Sequence, residues 1–157
     1  MLEIERQFLM KGFPTGLELL HEVEIEQGYV SIEPEVRIHR AIDKATGEKE
    51  FWLTLKSDGE LSRTELKTKI EETFYENTVA FIKVPMIKKD YKCYQFGQWI
   101  LETACVDAGT TNEFFYAEIE FPTEEEAMAF EVPEFFGKEV TFDNSYKMKN
   151  YWKKTRL

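Results

Sequence analysis

The chain has 157 residues and a formal charge of −10 at pH 7, from 30 Asp and Glu against 20 Lys and Arg, with 43% hydrophobic and 15% aromatic residues. That length and apolar content predict one domain over residues 1–157 and exclude wholesale disorder. The acidic excess argues against a nucleic-acid duplex or a membrane as partner, because both bind through Lys and Arg, and two cysteines, Cys93 and Cys105, in a chain without a leader-like or spanning apolar run fit a reduced, cytoplasmic setting.

In chain order, the first element is a strand over Leu2–Arg6, in which Glu3 and Glu5 alternate with Leu2 and Ile4. Thr15–Glu24, following Pro14, reads as a short helix. Strands follow at Ile25–Ser31, Val36–His39, Phe51–Lys56 and Ser62–Lys67, with turn residues at Thr46-Gly47 and Asp58-Gly59. A helix over Glu71–Ile82 places Phe74, Tyr75, Thr78, Val79 and Ile82 on one stripe and stops before Pro85. Strands resume at Ile87–Tyr94 and Trp99–Val106, turning at Phe96-Gly97, and again at Ala117–Phe121 after Gly109. Thr123-Glu124-Glu125-Glu126, after Pro122, is a capping box that opens a helix from Glu124 to Phe130, ending near Pro133. Asn144 to Lys154 is a final helical stretch, and Lys147, Lys149, Lys153, Lys154 and Arg156 make this end basic. No repeat, linker or low-complexity tract divides the chain.

The polar faces of these strands are unusual. Surface strands favour Thr, Lys and scattered charges, whereas here Glu3 with Glu5, Arg37 with His39, Arg63 with Glu65 and Lys67, and Glu118 with Glu120 place charged or titratable groups at i and i+2. That spacing points both side chains the same way, roughly 6.5 to 7 Å apart. Like charges that close repel unless counter-ions or a ligand lie between them. A closed sheet with its polar faces inward and its apolar faces under helices satisfies the pattern: an inside-out barrel holding carboxylates and cations. Such an interior suits a hard divalent cation together with a phosphate chain, the metal on carboxylate oxygens and the phosphates on Arg and Lys. Neither G-x-x-x-x-G-K-[ST] nor G-x-G-x-x-G is present, so side chains must hold the phosphates.

Glu3-Ile4-Glu5-Arg6-Gln7-Phe8-Leu9 resembles the E-x-E-x-K signature of the CYTH family, the triphosphate tunnel metalloenzymes. Further segments match in order: Ile25-Glu26-Gln27-Gly28-Tyr29, Pro34 to His39, Phe51 to Ser57, Ser62-Arg63-Thr64-Glu65, Ala117 to Pro122, and Val132 to Thr141 with Asp143 and Tyr146. No single motif is specific, but the ordered set covers nearly the whole chain. The resemblance implies an α+β fold, mainly β, in which an eight-stranded antiparallel barrel forms a polar tunnel with helices packed outside. It implies metal-dependent hydrolysis of inorganic or organic triphosphate, with class IV adenylate cyclase activity or non-catalytic polyphosphate or nucleotide binding as alternatives. Carried over by position, Glu3, Glu5, Glu118 and Glu120 are the metal ligands for Mg²⁺ or Mn²⁺, helped by Glu65 and Glu102. Arg37, Lys56 and Arg63 grip the triphosphate, joined by His39, Lys67 and Lys88, and Glu3, Glu5 and Lys56 form the catalytic set. A homodimer is compatible with the sequence, which does not fix the oligomeric state.

Several positions depart from the family pattern. The signature lysine is Gln7, the second Arg of the Arg37 strand is His39, and the second acid after Glu65 is Lys67. The family's K-x-R falls on Lys88 and Asp90 or on Lys89 and Tyr91 according to register, and only Glu102 remains of an acidic pair.

Overall fold

The computed structural model describes residues 1–157. Eight strands, β1 (Leu2–Met10), β2 (Glu18–Ser31), β3 (Glu35–Asp43), β4 (Lys49–Lys56), β5 (Ser62–Lys69), β6 (Ile87–Phe96), β7 (Trp99–Val106) and β8 (Phe114–Glu120), close into an antiparallel barrel in the order β1-β5-β4-β3-β2-β6-β7-β8. Closure needs β1 to serve two neighbours. Its first residues, Leu2–Ile4, pair with β5, whereas Glu5–Met10 pair with β8. The helices are α1 (Glu72–Ile82), α2 (Glu124–Ala129) and α3 (Met148–Arg156), the last preceded by a 3-10 turn at Asn144–Tyr146.

The segment expected to be helical, Thr15–Glu24, is instead the start of β2, which runs unbroken to Ser31. Its own alternation explains the difference: His21, Val23, Ile25, Gln27 and Tyr29 all face the interior of the barrel. The same strand pairs with β6 from Glu18 to Gln27, and this long ladder outweighs the weak local helix signal after Pro14. The other helices follow the sequence closely. Thr123 caps α2 by accepting from the Glu126 amide at 3.1 Å, and α1 ends at Lys83, whose φ of 66° turns the chain ahead of Pro85.

Where the outer faces are apolar the helices bury them in two clusters, whereas β2 and β6 turn Glu22, Glu26 and Asp90 outward, paired with Lys44 and Arg40. Under α1 and α3 lie Ile38, Phe51, Tyr75 and Trp152, with the Phe51 and Tyr75 rings 5.2 Å apart. Under α2 and the following segment lie Ile4, Phe8, Leu101, Ile119 and Phe136. That segment also lies along β1: the Gly137 amide donates to the Leu9 carbonyl at 2.8 Å and the Val140 amide to that of Gln7 at 2.8 Å. A Cβ at position 137 would sit 2.4 Å from the Leu9 carbonyl oxygen, so this approach requires glycine. Beside it Arg6 makes paired bonds to the Glu139 carboxylate at 2.9 and 2.7 Å, fixing the segment to the strand.

A buried carboxylate anchors the end of the C-terminal helix, which Lys149 and Trp152 also hold to the barrel. Asp107 accepts from Arg156 at 2.6 and 2.9 Å and from the Tyr151 hydroxyl, and Arg156 also donates to the carbonyls of Pro85 and Met86 at 3.0 Å each. Burial opposes the charge on Asp107, yet Arg156 and Tyr151 hold its carboxyl below the usual range. Asp107→Asn keeps the backbone turn and leaves a nearly buried guanidinium without its counter-charge. The substitution is expected to cost about 3 kcal/mol in urea unfolding, and a loss below about 0.5 kcal/mol would show that α3 is held otherwise.

Candidate active site

The barrel interior is a cavity of about 490 Å³ whose wall is set by strand register. On one side β1, β8 and β7 place carboxylates side by side: Glu5 lies opposite Glu120, Gln7 opposite Glu118, and Glu118 opposite Glu102. On the other side β3, β4, β5 and β6 contribute Arg37, Lys56, Arg63, Lys67 and Lys89. The two walls meet at Glu3. Lys56 Nζ is 3.4 Å from Glu3 and 3.4 Å from Glu65, while Arg63 is 3.6 Å from Glu3 and 3.6 Å from Glu35.

Charge placement then decides protonation. Burial works against an ionised Glu3, but Lys56 and Arg63 hold its carboxyl below the usual range. At Glu5, burial and the adjacent Glu118 outweigh Lys56 and push the carboxyl well up. Burial, with Glu5, Glu120 and Glu3 nearby, raises Glu102 to about 7 despite a hydrogen bond from Tyr91. Glu120 is raised for the same reasons, burial first and then Glu3 and Glu5. Burial lowers Lys89 to about 7, with Arg37 and Lys56 adding to that and Glu118 opposing it. Burial and then Arg37 and Lys89 drive His39 down to about 3, so its imidazole is neutral.

Of the residues singled out from sequence, Glu3, Glu5, Glu65, Glu102, Glu118, Glu120, Arg37, His39, Lys56, Arg63 and Lys67 all line this cavity. Lys88 does not. The β2–β6 register pairs Lys88 with Glu26, whose carboxylate accepts from Tyr75 on the outer face, and pairs Lys89 with lumenal Ile25. Lys89 is therefore the inward lysine, its Nζ 2.7 Å from the Tyr116 hydroxyl. Tyr29, Gln27, Tyr116 and Lys147 also line the cavity without having been singled out. The alternation through Ile25–Ser31 carried the signal for Gln27 and Tyr29. Lys147 gave none, since only the fold-back of α3 brings it in.

The carboxylate wall is an all-oxygen donor set of the kind a hard divalent cation takes, and its crowded acids hold protons where such an ion would supply charge instead. No three His, Cys, Asp or Glu side chains are already gathered as a metal site. The residues fit a Mg²⁺ or Mn²⁺ ion in chemistry, and the carboxylates would have to converge on it.

The chain is 36% identical over 149 residues to an inorganic triphosphatase of Nitrosomonas europaea, covering 95% of both proteins. It belongs to the CYTH family of triphosphate tunnel proteins. A crystal structure of an inorganic triphosphatase superposes with a TM-score of 0.66 at 31% identity, over 95% of this chain and 93% of that one. A Hippeastrum protein, a proposed adenylyl cyclase with a dominant triphosphatase activity, shares the fold at a TM-score of 0.50 and 13% identity, over 81% of this chain and 82% of that one. No family model matches the chain.

The shift at Glu102 makes a pH-dependent difference that one substitution isolates. The folded protein keeps this proton up to about pH 7, whereas the unfolded chain releases it near 4.5. Folding therefore binds a proton in that window, and the stability from this group is present below it and lost as pH rises through 7. Glu102→Gln removes the dependence, so in metal-free buffer the variant gains on the parent between pH 5 and pH 8, by up to about 3 kcal/mol. Parallel stability curves in thermal unfolding would show that Glu102 is not held protonated.

Proposed function

We propose that this protein hydrolyses a phosphoanhydride bond of a triphosphate, inorganic triphosphate first among them, inside the tunnel and with Mg²⁺ or Mn²⁺ bound. The observation that carries this reading is the opposition of a carboxylate wall to a Lys and Arg wall within the cavity of one closed barrel. The family membership and the inorganic triphosphatase relative support it. A bound divalent cation would supply charge to the phosphate oxygens and lower the pKa of coordinated water.

The chain's own residues account for the remainder. Arg37, Lys56, Arg63 and Lys67 lie where a phosphate chain entering the cavity would meet cations, and the ion pairs of Lys56 and Arg63 with Glu3, at 3.4 and 3.6 Å, give way to stronger charge-assisted bonds to phosphate. Glu5, Glu102, Glu118 and Glu120 would hold the metal, with Glu65 keeping Lys56 oriented at 3.4 Å. Lys89, bonded to Tyr116 and near Glu118, adds a donor beside the carboxylate wall. Phosphoryl transfer asks little covalent chemistry of a protein and much positioning of charge, which is what the two walls provide. With both cysteines free, a reducing compartment, the cytoplasm, suits the chain.

A second reading, binding of the phosphate chain with little turnover, draws on one feature. Gln7 lies on the cavity wall directly opposite Glu118, and an amide there keeps a hydrogen bond but not the charge of a lysine. Phosphate release from inorganic triphosphate, ATP and thiamine triphosphate, each with Mg²⁺ and with Mn²⁺, separates the two. Release is expected from at least one, and Glu118→Ala is expected to lower it by about a hundredfold or more. Tight binding of all three without release would refute hydrolysis. Gln7→Lys is expected to raise the rate about tenfold by restoring a charge worth about 1–2 kcal/mol; an unchanged rate would mean that Lys67 or Lys89 already fills that role.

A further inference from the structure

Six buried side-chain polar atoms in the protein have no hydrogen-bond partner: Gln27 Nε2, Glu35 Oε1, Arg37 Nε, His39 Nδ1, Arg40 Nε and Thr54 Oγ1. Three of them do not point to a ligand. Glu35 and Arg40 belong to ion pairs at 3.6 Å with Arg63 and Glu26, and Thr54 does not reach the cavity. The remaining three, Gln27, Arg37 and His39, all line the cavity and lie on two adjacent strands. Gln27 is directly opposite His39 in the β2–β3 ladder, and Arg37 is two residues along on the same face.

We infer that Gln27, with Arg37 and His39 beside it, forms a subsite for one phosphoryl group, a tetrahedral oxyanion, on the wall away from the metal-binding carboxylates. The inference rests on the proposed function and adds to it a residue outside the Lys and Arg set. A buried donor with no partner carries its full desolvation cost in the empty protein, and a phosphate oxygen arriving in the cavity removes that cost. Gln27 is 3% exposed, and nothing else within reach accepts from its amide. The terminal amide torsion is broad, so the NH₂ group turns toward a ligand at little cost. Arg37 brings a charge-assisted bond from an unpaired guanidinium nitrogen. His39 is neutral and Gln27 uncharged, so two of the three groups select by bond direction and tetrahedral shape, not by charge alone. In this chain the second cation of the Arg37 strand is an imidazole, and a directional neutral cradle accounts for how one phosphoryl group is held without it.

Gln27→Leu tests this with two opposed readouts. In the ligand-free protein it removes an unsatisfied buried donor, so the melting temperature holds or rises. Toward inorganic triphosphate with Mg²⁺, titration calorimetry is expected to show affinity weakened about tenfold, the worth of one such hydrogen bond, with KM raised more than kcat is lowered. Gln27→Glu, of the same shape, places an anion against phosphate and is expected to abolish the ligand-induced rise in melting temperature. A Gln27→Leu protein that is destabilised, yet binds triphosphate as the parent does, overturns the subsite, because the amide then has an internal or water partner. A parent protein that binds no inorganic triphosphate overturns the proposed function and this inference with it. Binding by the parent that both variants retain overturns the subsite alone.

Discussion

The structure depends on strand register in a closed barrel. With a side-chain period of two, a slip of one residue on β1 or β8 would turn Glu3 and Glu5, or Glu118 and Glu120, out of the tunnel. Register is pinned from outside. The Gly137–Leu9 approach and the Arg6–Glu139 pair fix β1, Tyr75 bonded to Glu26 fixes β2 beneath α1, and the Asp107–Arg156 pair ties the end of β7 to α3. The apolar clusters thus do more than stabilise the fold: they decide which charges face one another in the lumen. Lys89 and Lys88 show the consequence, since adjacent lysines with the same chemistry are separated by register alone into a tunnel residue and a surface residue.

Once the register is set, the interior charges cannot all be neutralised by their neighbours. Lys56 and Arg63 are shared among Glu3, Glu65 and Glu35, whereas Glu5, Glu102, Glu118 and Glu120 take part in no ion pair. In a partly desolvated cavity such a cluster relieves its repulsion by keeping protons, which is why Glu5, Glu102 and Glu120 shift upward together. A ligand that is cationic on one side and anionic on the other relieves both walls at once. The same repulsion that disfavours the empty carboxylate wall therefore favours a metal-bound phosphate chain over either component alone.

Much of the barrel was legible in the sequence because its strands advertise themselves twice, through alternation and through the charged composition of the polar side. Glu3 with Glu5 and Glu118 with Glu120 stand out as i, i+2 pairs in the sequence alone, and the ladder then places Glu5 opposite Glu120. What the sequence hid has physical causes. The first half of β2 is governed by its partner β6, a non-local pairing that outweighs a proline-preceded helix signal. The choice between Lys88 and Lys89 is a register question that one strand cannot answer for itself. Gln27, Tyr29 and Tyr116 are ordinary residues in ordinary strand positions, and only burial beside unpaired charges gives them meaning. Lys147 reaches the cavity through the path of the C-terminal segment, which no local pattern encodes.

The net charge of −10 takes on a different sense against this geometry. Nine carboxylates and six Lys or Arg side chains line the tunnel. That leaves an excess of three acids inside out of ten overall, so most of the acid excess is carried outside the tunnel. A long polyanion approaching from outside meets that field first and is repelled. A short phosphate chain whose charge is partly cancelled by a divalent cation feels the field weakly, and inside it meets cations that the overall tally conceals. The acidic exterior and the cation-lined tunnel therefore act together as a filter for small, metal-neutralised phosphates.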